Sequence, residues 1–283
     1  MRKIILKSTV LFIFITAIST GTALSQIQLI PTTIVLDRAG VGTVMVVNTS
    51  DEPREISIST EFRYNVSNER GQSIEPENFE ELKKYDISDD LLIYPPRFVL
   101  GGGERRDIRI QHRITSDVED GGYFSRFIVR AEPTARNIVQ EEDPETIGVQ
   151  LNYIFVQDIP LYHFYGNTTT GVDVLEAYVE QPADDPEQVN FVFNMDKTGN
   201  SPYRGRAAVE ITNAEGEVVH EFTQQVGLFT DRAVSINSFK EHYTPGEEYT
   251  ASFTFETKRR TSNPTELVQG EDVLYEIPFI IEE

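Results

Sequence analysis

Apolar residues recur at every second position along much of this chain. Glu55 to Tyr64 (EISISTEFRY) alternates throughout, so Ile56, Ile58, Thr60, Phe62 and Tyr64 share one face of a predicted strand. Arg106 to Arg113 (RDIRIQHR) repeats the pattern, with Ile108 and Ile110 turned inward. One apolar face and one wet face is what an antiparallel sheet requires. Shorter runs are apolar without alternation: Thr43 to Val47 (TVMVV), Leu91 to Tyr94, Val99-Leu100 and Tyr123 to Val129 (YFSRFIV). Ile27 to Leu36 (IQLIPTTIVL) is rich in β-branched residues, and Pro31 marks a bulge or an edge strand within it. The longest strand candidate is Gly148 to Tyr165 (GVQLNYIFVQDIPLYHFY).

The breaks between these runs are turn residues: Gly40 and Gly42, the Asn48 to Pro53 segment, Pro95-Pro96 and Gly101-Gly102-Gly103. Two stretches read differently. Asn65 to Asp90 is polar and acidic, and Pro76 to Tyr85 within it predicts a short helix; Glu132 to Glu145 is a proline-containing acidic loop. Gly166 to Gly171 (GNTTTG) reads as a linker. A second strand series follows it, from Val172 to Ile281, with a hairpin turn at Asn213-Ala214-Glu215-Gly216. About seven short strands per ~110 residues is the spacing of an immunoglobulin-like sandwich. The expected fold is therefore all-β, with two such sandwiches over residues 26–166 and 167–283.

The N-terminus has its own pattern. Arg2, Lys3 and Lys7 precede an apolar run from Val10 to Ile18, and Ala23-Leu24-Ser25 follows with small residues where a signal peptidase reads. Residues 1–25 thus read as a secretory signal peptide, cleaved before Gln26. The run is too short for a bilayer span, which needs ~20 residues. The expected product is exported, with no membrane insertion after cleavage.

Composition narrows the chemistry. The chain of 283 residues carries a formal charge of −21, and removing the leader's cations makes the remainder more acidic still. Such a surface repels nucleic acid and anionic lipid. Cysteine is absent, which excludes thiol chemistry, thiolate metal sites and disulfide support. The four histidines, His112, His163, His220 and His242, are scattered, with no metal-ligand spacing. Gly101-Gly102-Gly103-Glu104-Arg105 lacks the Lys-Ser/Thr of a phosphate loop, and no Gly-x-Ser-x-Gly elbow occurs. Carboxylate pairs such as Glu141-Glu142 and Asp184-Asp185 fall in predicted loops. No catalytic constellation, metal or cofactor is expected, and the chain reads as a binding protein rather than an enzyme.

The order of motifs resembles the periplasmic chaperones that assemble bacterial pili. The resemblance is carried by Ile27 to Asp37 (IQLIPTTIVLD) followed by Val44 to Glu52 (VMVVNTSDE), by Leu92 to Ile110 (LIYPPRFVLGGGERRDIRI), by Gly121 to Ala131 (GGYFSRFIVRA) and by Ile159 to Gly166 (IPLYHFYG). Phe193 to Ile211 (FNMDKTGNSPYRGRAAVEI) is similar to the core of the second chaperone domain in a divergent branch. No one of these motifs is specific; their order over most of the chain carries the likeness.

The resemblance implies two immunoglobulin-like domains in a boomerang, a periplasmic location, and exported pilin-like or surface subunits as clients, with an outer-membrane usher as a further partner. It also implies donor-strand complementation, in which the chaperone lends an edge strand to a subunit lacking its last strand. By the family's layout the donor row is Val149, Leu151, Tyr153 and Phe155, with Asn152, Ile154 and Val156 facing this protein's own core. The family's two basic residues for the client's C-terminal carboxylate fall on Thr33 and on Pro160, or on Asp158 under a shifted alignment, and none is basic. Arg97, Arg109, Arg126 and Arg130 are the alternative carboxylate binders. The competing reading is a structural or adhesive sandwich protein that lends no strand.

Overall fold

Pro31, expected at a bulge or an edge strand, stands where the chain passes from one edge strand to another in the opposite sheet. The computed structural model describes residues 27–64, 66–74, 80–114, 118–134, 153–259 and 267–282. In it, β1 (Ile27–Ile30) and β2 (Ile34–Leu36) belong to opposite sheets of one sandwich, so the apolar run Ile27 to Leu36 serves both layers. The signal peptide expected over residues 1–25 lies outside the described residues.

The chain continues through β3 (Val41–Asn48), β4 (Arg54–Glu61), a small hairpin of β5 (Val66–Ser67) and β6 (Ser73–Ile74), then β7 (Leu91–Tyr94), β8 (Arg97–Leu100), β9 (Arg105–His112), β10 (Gly121–Pro133) and β11 (Phe155–Tyr165). The predicted helix is represented by a 3-10 helix at Glu80–Tyr85. One sheet has the order β1-β3-β9-β7 and the other β2-β11-β10-β4-β8. Alternation does what it predicts: Ile56, Ile108 and Ile110 are buried between the layers with Val44, Val46, Phe127, Val129 and Leu161.

The second series is β12 (Gly171–Glu180), β13 (Gln188–Thr198), β14 (Tyr203–Asn213), β15 (Val218–Leu228), β16 (Arg232–Phe239), β17 (Glu248–Glu256) and β18 (Val273–Ile280). Its sheets run β12-β13-β16 and β15-β14-β17-β18. The predicted turn joins β14 to β15, with Gly216 at φ 80° and its amide bonded to the Asn213 carbonyl at 3.0 Å. This core is aromatic. Phe193 packs edge to face on Phe253, Phe255 and Tyr275, with centroids 4.7, 5.1 and 5.7 Å apart. A fully buried ring of this kind contributes about 2–3 kcal/mol, which is how a chain without cysteine holds a sandwich together.

Several contacts join the two sandwiches. Phe62, Tyr64 and Phe124 of the first pack with Phe229 of the second, Phe124 and Phe229 at 4.7 Å. The Arg204 guanidinium lies 4.1 Å from the centre of the Tyr162 ring. Asn200 donates to the Asp120 and Asn167 carbonyls at 2.9 and 3.0 Å, and its own carbonyl accepts from the Gly122 amide at 2.9 Å. No room exists there for a side chain at Gly122, where a Cβ would come within 2.8 Å of Ser201 and Pro202.

Candidate functional site

Among the described residues, part of one backbone edge of β11 is unpaired. Along its whole length the strand pairs with β10, from Gly121↔Tyr165 to Ala131↔Phe155. Its other side meets β2 only at Leu161, Tyr162 and His163. From Phe155 to Pro160, therefore, β11 has one paired edge and, among the described residues, one open edge. A proline is tolerated in such a strand where its nitrogen faces away from the ladder. An open edge is a template for another strand.

The side chains around that edge are apolar. Val156 is 61% exposed, and Tyr153 and Ile154, just before the strand, are 60% and 48% exposed. Phe155 is half-buried against the core of its own sandwich, beneath the Arg54 guanidinium at 5.8 Å. This corrects the expected parity. Ile159 and Leu161 are buried, and counting back in twos along the strand turns Phe155 inward and Val156 outward. Phe155, expected in the donor row, packs on this protein's core; Ile154 and Val156, expected to face that core, are exposed. Val149 and Leu151 lie outside the described residues.

The outward face is bracketed by charge. Arg126 donates from Nε to Asp158 Oδ2 at 2.9 Å, across the pairing of β10 and β11. That bond, more than any other influence, holds the Asp158 carboxyl below its ordinary range. Arg130 makes the equivalent contact within its own strand, to Glu132 at 2.5 Å. The register places Arg97, Ser57, Arg130 and Val156 on one row across β8, β4, β10 and β11. Arg97 and Arg130 are thus brought to the same row as the apolar edge, and Arg126 lies two outward positions further along β10, beyond Ile128. Arg109 is not: it lies on β9 in the opposite sheet, paired with Tyr94. Thr33 sits in the turn between β1 and β2, and Pro160 opposite Arg126.

Two further features had no counterpart in the sequence reading. Arg204, from the second sandwich, is buried on Tyr162, and Arg259 is held against the Val226 carbonyl at 3.0 Å. His112 and His163, separated by 51 positions, are in direct contact. Neither leaves a local signature, because each is made by residues far apart in the chain. Among the described residues no group of three or more histidine, cysteine or acidic side chains is arranged to hold a metal.

These observations define a two-sandwich β protein with an apolar, half-open edge strand. Solved structures similar to it are chaperones. The YadV chaperone matches with a TM-score of 0.47 at 9% identity, over 89% of this chain and 100% of that one. The SafB chaperone, solved in complex with the SafA pilin of Salmonella enterica, matches with a TM-score of 0.41 at 13% identity, over 92% and 99%. The CsuC–CsuE chaperone–tip adhesion subunit pre-assembly complex from the archaic chaperone-usher Csu pili of Acinetobacter baumannii matches with a TM-score of 0.42 at 10% identity, over 89% and 98%. No family model matches the chain, and no curated protein matches it in sequence.

Proposed function

We propose that this protein is a periplasmic, non-enzymatic chaperone that holds an exported pilin-like or surface subunit by adding β11 to the subunit's open sheet. The observation that carries this reading is the edge of β11 from Phe155 to Pro160, open on one side among the described residues and flanked by the exposed Tyr153, Ile154 and Val156. Strand addition draws affinity from main-chain hydrogen bonds and specificity from alternate side chains. The outward apolar side chain of this strand is Val156, with Tyr153 and Ile154 exposed just before it, so these, rather than Phe155, are the ones offered. An outer-membrane usher would receive the loaded complex.

Arg97 and Arg130 are the cations nearest the lending edge along the sheet row. A client carboxylate at that edge would be met by them, with Glu132 displaced from Arg130. Such charge-assisted bonds are about twice as strong as neutral ones, and they would set the register of the added strand.

The test is purification of the tagged full chain from its native periplasm, comparing the unaltered protein with Tyr153→Asp and Val156→Asp. Both variants should keep the unaltered circular dichroism spectrum and lose the co-purifying subunit. Retention of that subunit at unaltered yield by both would overturn the reading.

A further inference from the structure

The histidine pair inside the first sandwich has a geometry that acid cannot leave intact. His112 ends β9 in one sheet, and His163 lies in β11 of the other. Their Nδ1 atoms are 2.7 Å apart, with the rings edge to face. The two residues are 3% and 0% exposed. A bond of this length needs one Nδ1 to carry hydrogen and the other to be bare, so both rings cannot be imidazolium at once. Each is also anchored by its backbone. The His112 amide donates to the Gly40 carbonyl at 2.8 Å, and His163 pairs with Tyr123 on one side and Leu36 on the other.

The surroundings favour the neutral pair. The rings of Tyr123 and Tyr165 pack on the imidazoles of His112 and His163. The facing negative charges are Asp37, in the turn after β2, and Asp90, in the 3-10 helix before β7. Burial outweighs both. It pushes His163 down to about 4, with the neighbouring His112 adding to the effect, and it lowers His112 as well.

We propose that the His112–His163 bond is an acid-sensitive bolt between the two sheets of the first sandwich, and that acid loosens the base of β11 by opening it. This device belongs to the chain alone and stands whether or not β11 lends its edge to a client. The sign follows from linkage. A histidine whose folded state resists protonation stabilises above the unfolded value of 6.5, and that contribution is lost as pH falls toward its folded value.

The experiment is amide exchange of the full chain between pH 7.5 and 5, corrected for the intrinsic pH dependence of exchange. One histidine moving from 6.5 to about 4 implies that opening of residues 159–163 rises about 30-fold over that interval. The second sandwich should follow less, because its stacked pair, His220 and His242, is only partly buried, with His220 lowered by burial and by His242. A variant carrying both His112→Asn and His163→Asn keeps an amide near each Nδ1 position without titration, and should lose the acceleration. Imidazole resonances of the unaltered protein supply a measurement that does not depend on the variant folding. The two resonances that survive His220→Gln and His242→Gln are those of the buried pair, and both should titrate below 6.5. Unaccelerated exchange at β11, or an ordinary titration of the pair, would overturn the proposal.

Discussion

Arg126 of β10 reaches diagonally across to Asp158 of β11, and their 2.9 Å bond lies on the outer surface just behind the open edge of β11. The pair is partly exposed, so solvent screens it and its worth is modest. Replacing Asp158 by Asn should cost about 0.5–1 kcal/mol at pH 7. The folded state depresses this carboxyl below 3.8, chiefly through the Arg126 hydrogen bond. Its contribution is therefore present above that value and fades as pH falls through it. Urea titrations at pH 7 and pH 3 should show the difference between Asp158→Asn and the unaltered protein shrinking at the lower pH. A constant difference would mean that the bond is not what the substitution removes.

Asn48 is a second fixed point, and a costlier one to remove. It is fully buried at the end of β3, where its Nδ2 donates to the carbonyls of Glu52, Leu100 and Gly101 at 2.7, 3.1 and 3.0 Å. Its Oδ1 accepts from the Ser50 amide and hydroxyl at 3.1 and 2.7 Å. One side chain thus ties the turn after β3 to the turn after β8. Asn48→Ala leaves buried carbonyls without a donor and should cost about 2–4 kcal/mol in urea unfolding. Asn48→Asp should be at least as damaging at pH 7, because a carboxylate facing three carbonyls only repels. It should recover on acidification, since the neutral acid carries a hydrogen to donate.

The strands that alternate cleanly were legible from the chain alone. Ile108 and Ile110 fall inward because every neighbour on the other parity of β9 is polar. β11 was not legible in the same way. Tyr153 to Tyr165 is apolar on both faces, and the adjacent Gln157 and Asp158 interrupt both rows, so periodicity does not say which face is inward. A one-residue slip exchanges the faces of a strand, which is why Phe155 and Val156 took each other's expected places. The run from Ile27 to Leu36 reads as one strand because nothing local tells a bulge from a change of sheet. The His112–His163 contact and the Arg204–Tyr162 stack exist only once distant strands are brought together.

The second sandwich depends on its ring cluster more than on any polar contact. Phe193 is fully buried and touches three other aromatic rings. Phe193→Ala should cost about 3–5 kcal/mol, from lost transfer energy and the cavity left behind. Phe193→Leu keeps most of the apolar volume and should cost less. Thermal unfolding followed by near-ultraviolet circular dichroism would report both. Equal losses for the two variants would show that ring geometry, not filled volume, holds this core.

The angle at which the two sandwiches are held should be vulnerable at one glycine. Gly71, at the tip of the β5–β6 hairpin of the first half, has φ 72° and lies against β16 of the second. A Cβ there would sit 2.3 Å from the Ser235 amide nitrogen and 2.6 Å from the Val234 carbonyl carbon, backbone atoms that cannot swing away. The hairpin is otherwise held by the Ser67 hydroxyl donating to the Ala233 carbonyl, by Tyr178 donating to the Glu69 carbonyl at 3.4 Å, and by the Arg70–Glu180 pair at 3.6 Å. The last two are exposed and weak. Gly71→Ala should therefore expel the hairpin while both sandwiches stay folded. Trypsin should then cleave after Arg70 at least ten times faster, with only a small change in thermal midpoint. Gly246→Ala is the control. That glycine also has a positive φ, 83°, but a Cβ there meets nothing within 4 Å, so the substitution carries only the backbone strain of about 1–2 kcal/mol. If the two variants were cleaved alike at Arg70, strain alone would explain Gly71, and the hairpin would not be the clasp between the halves.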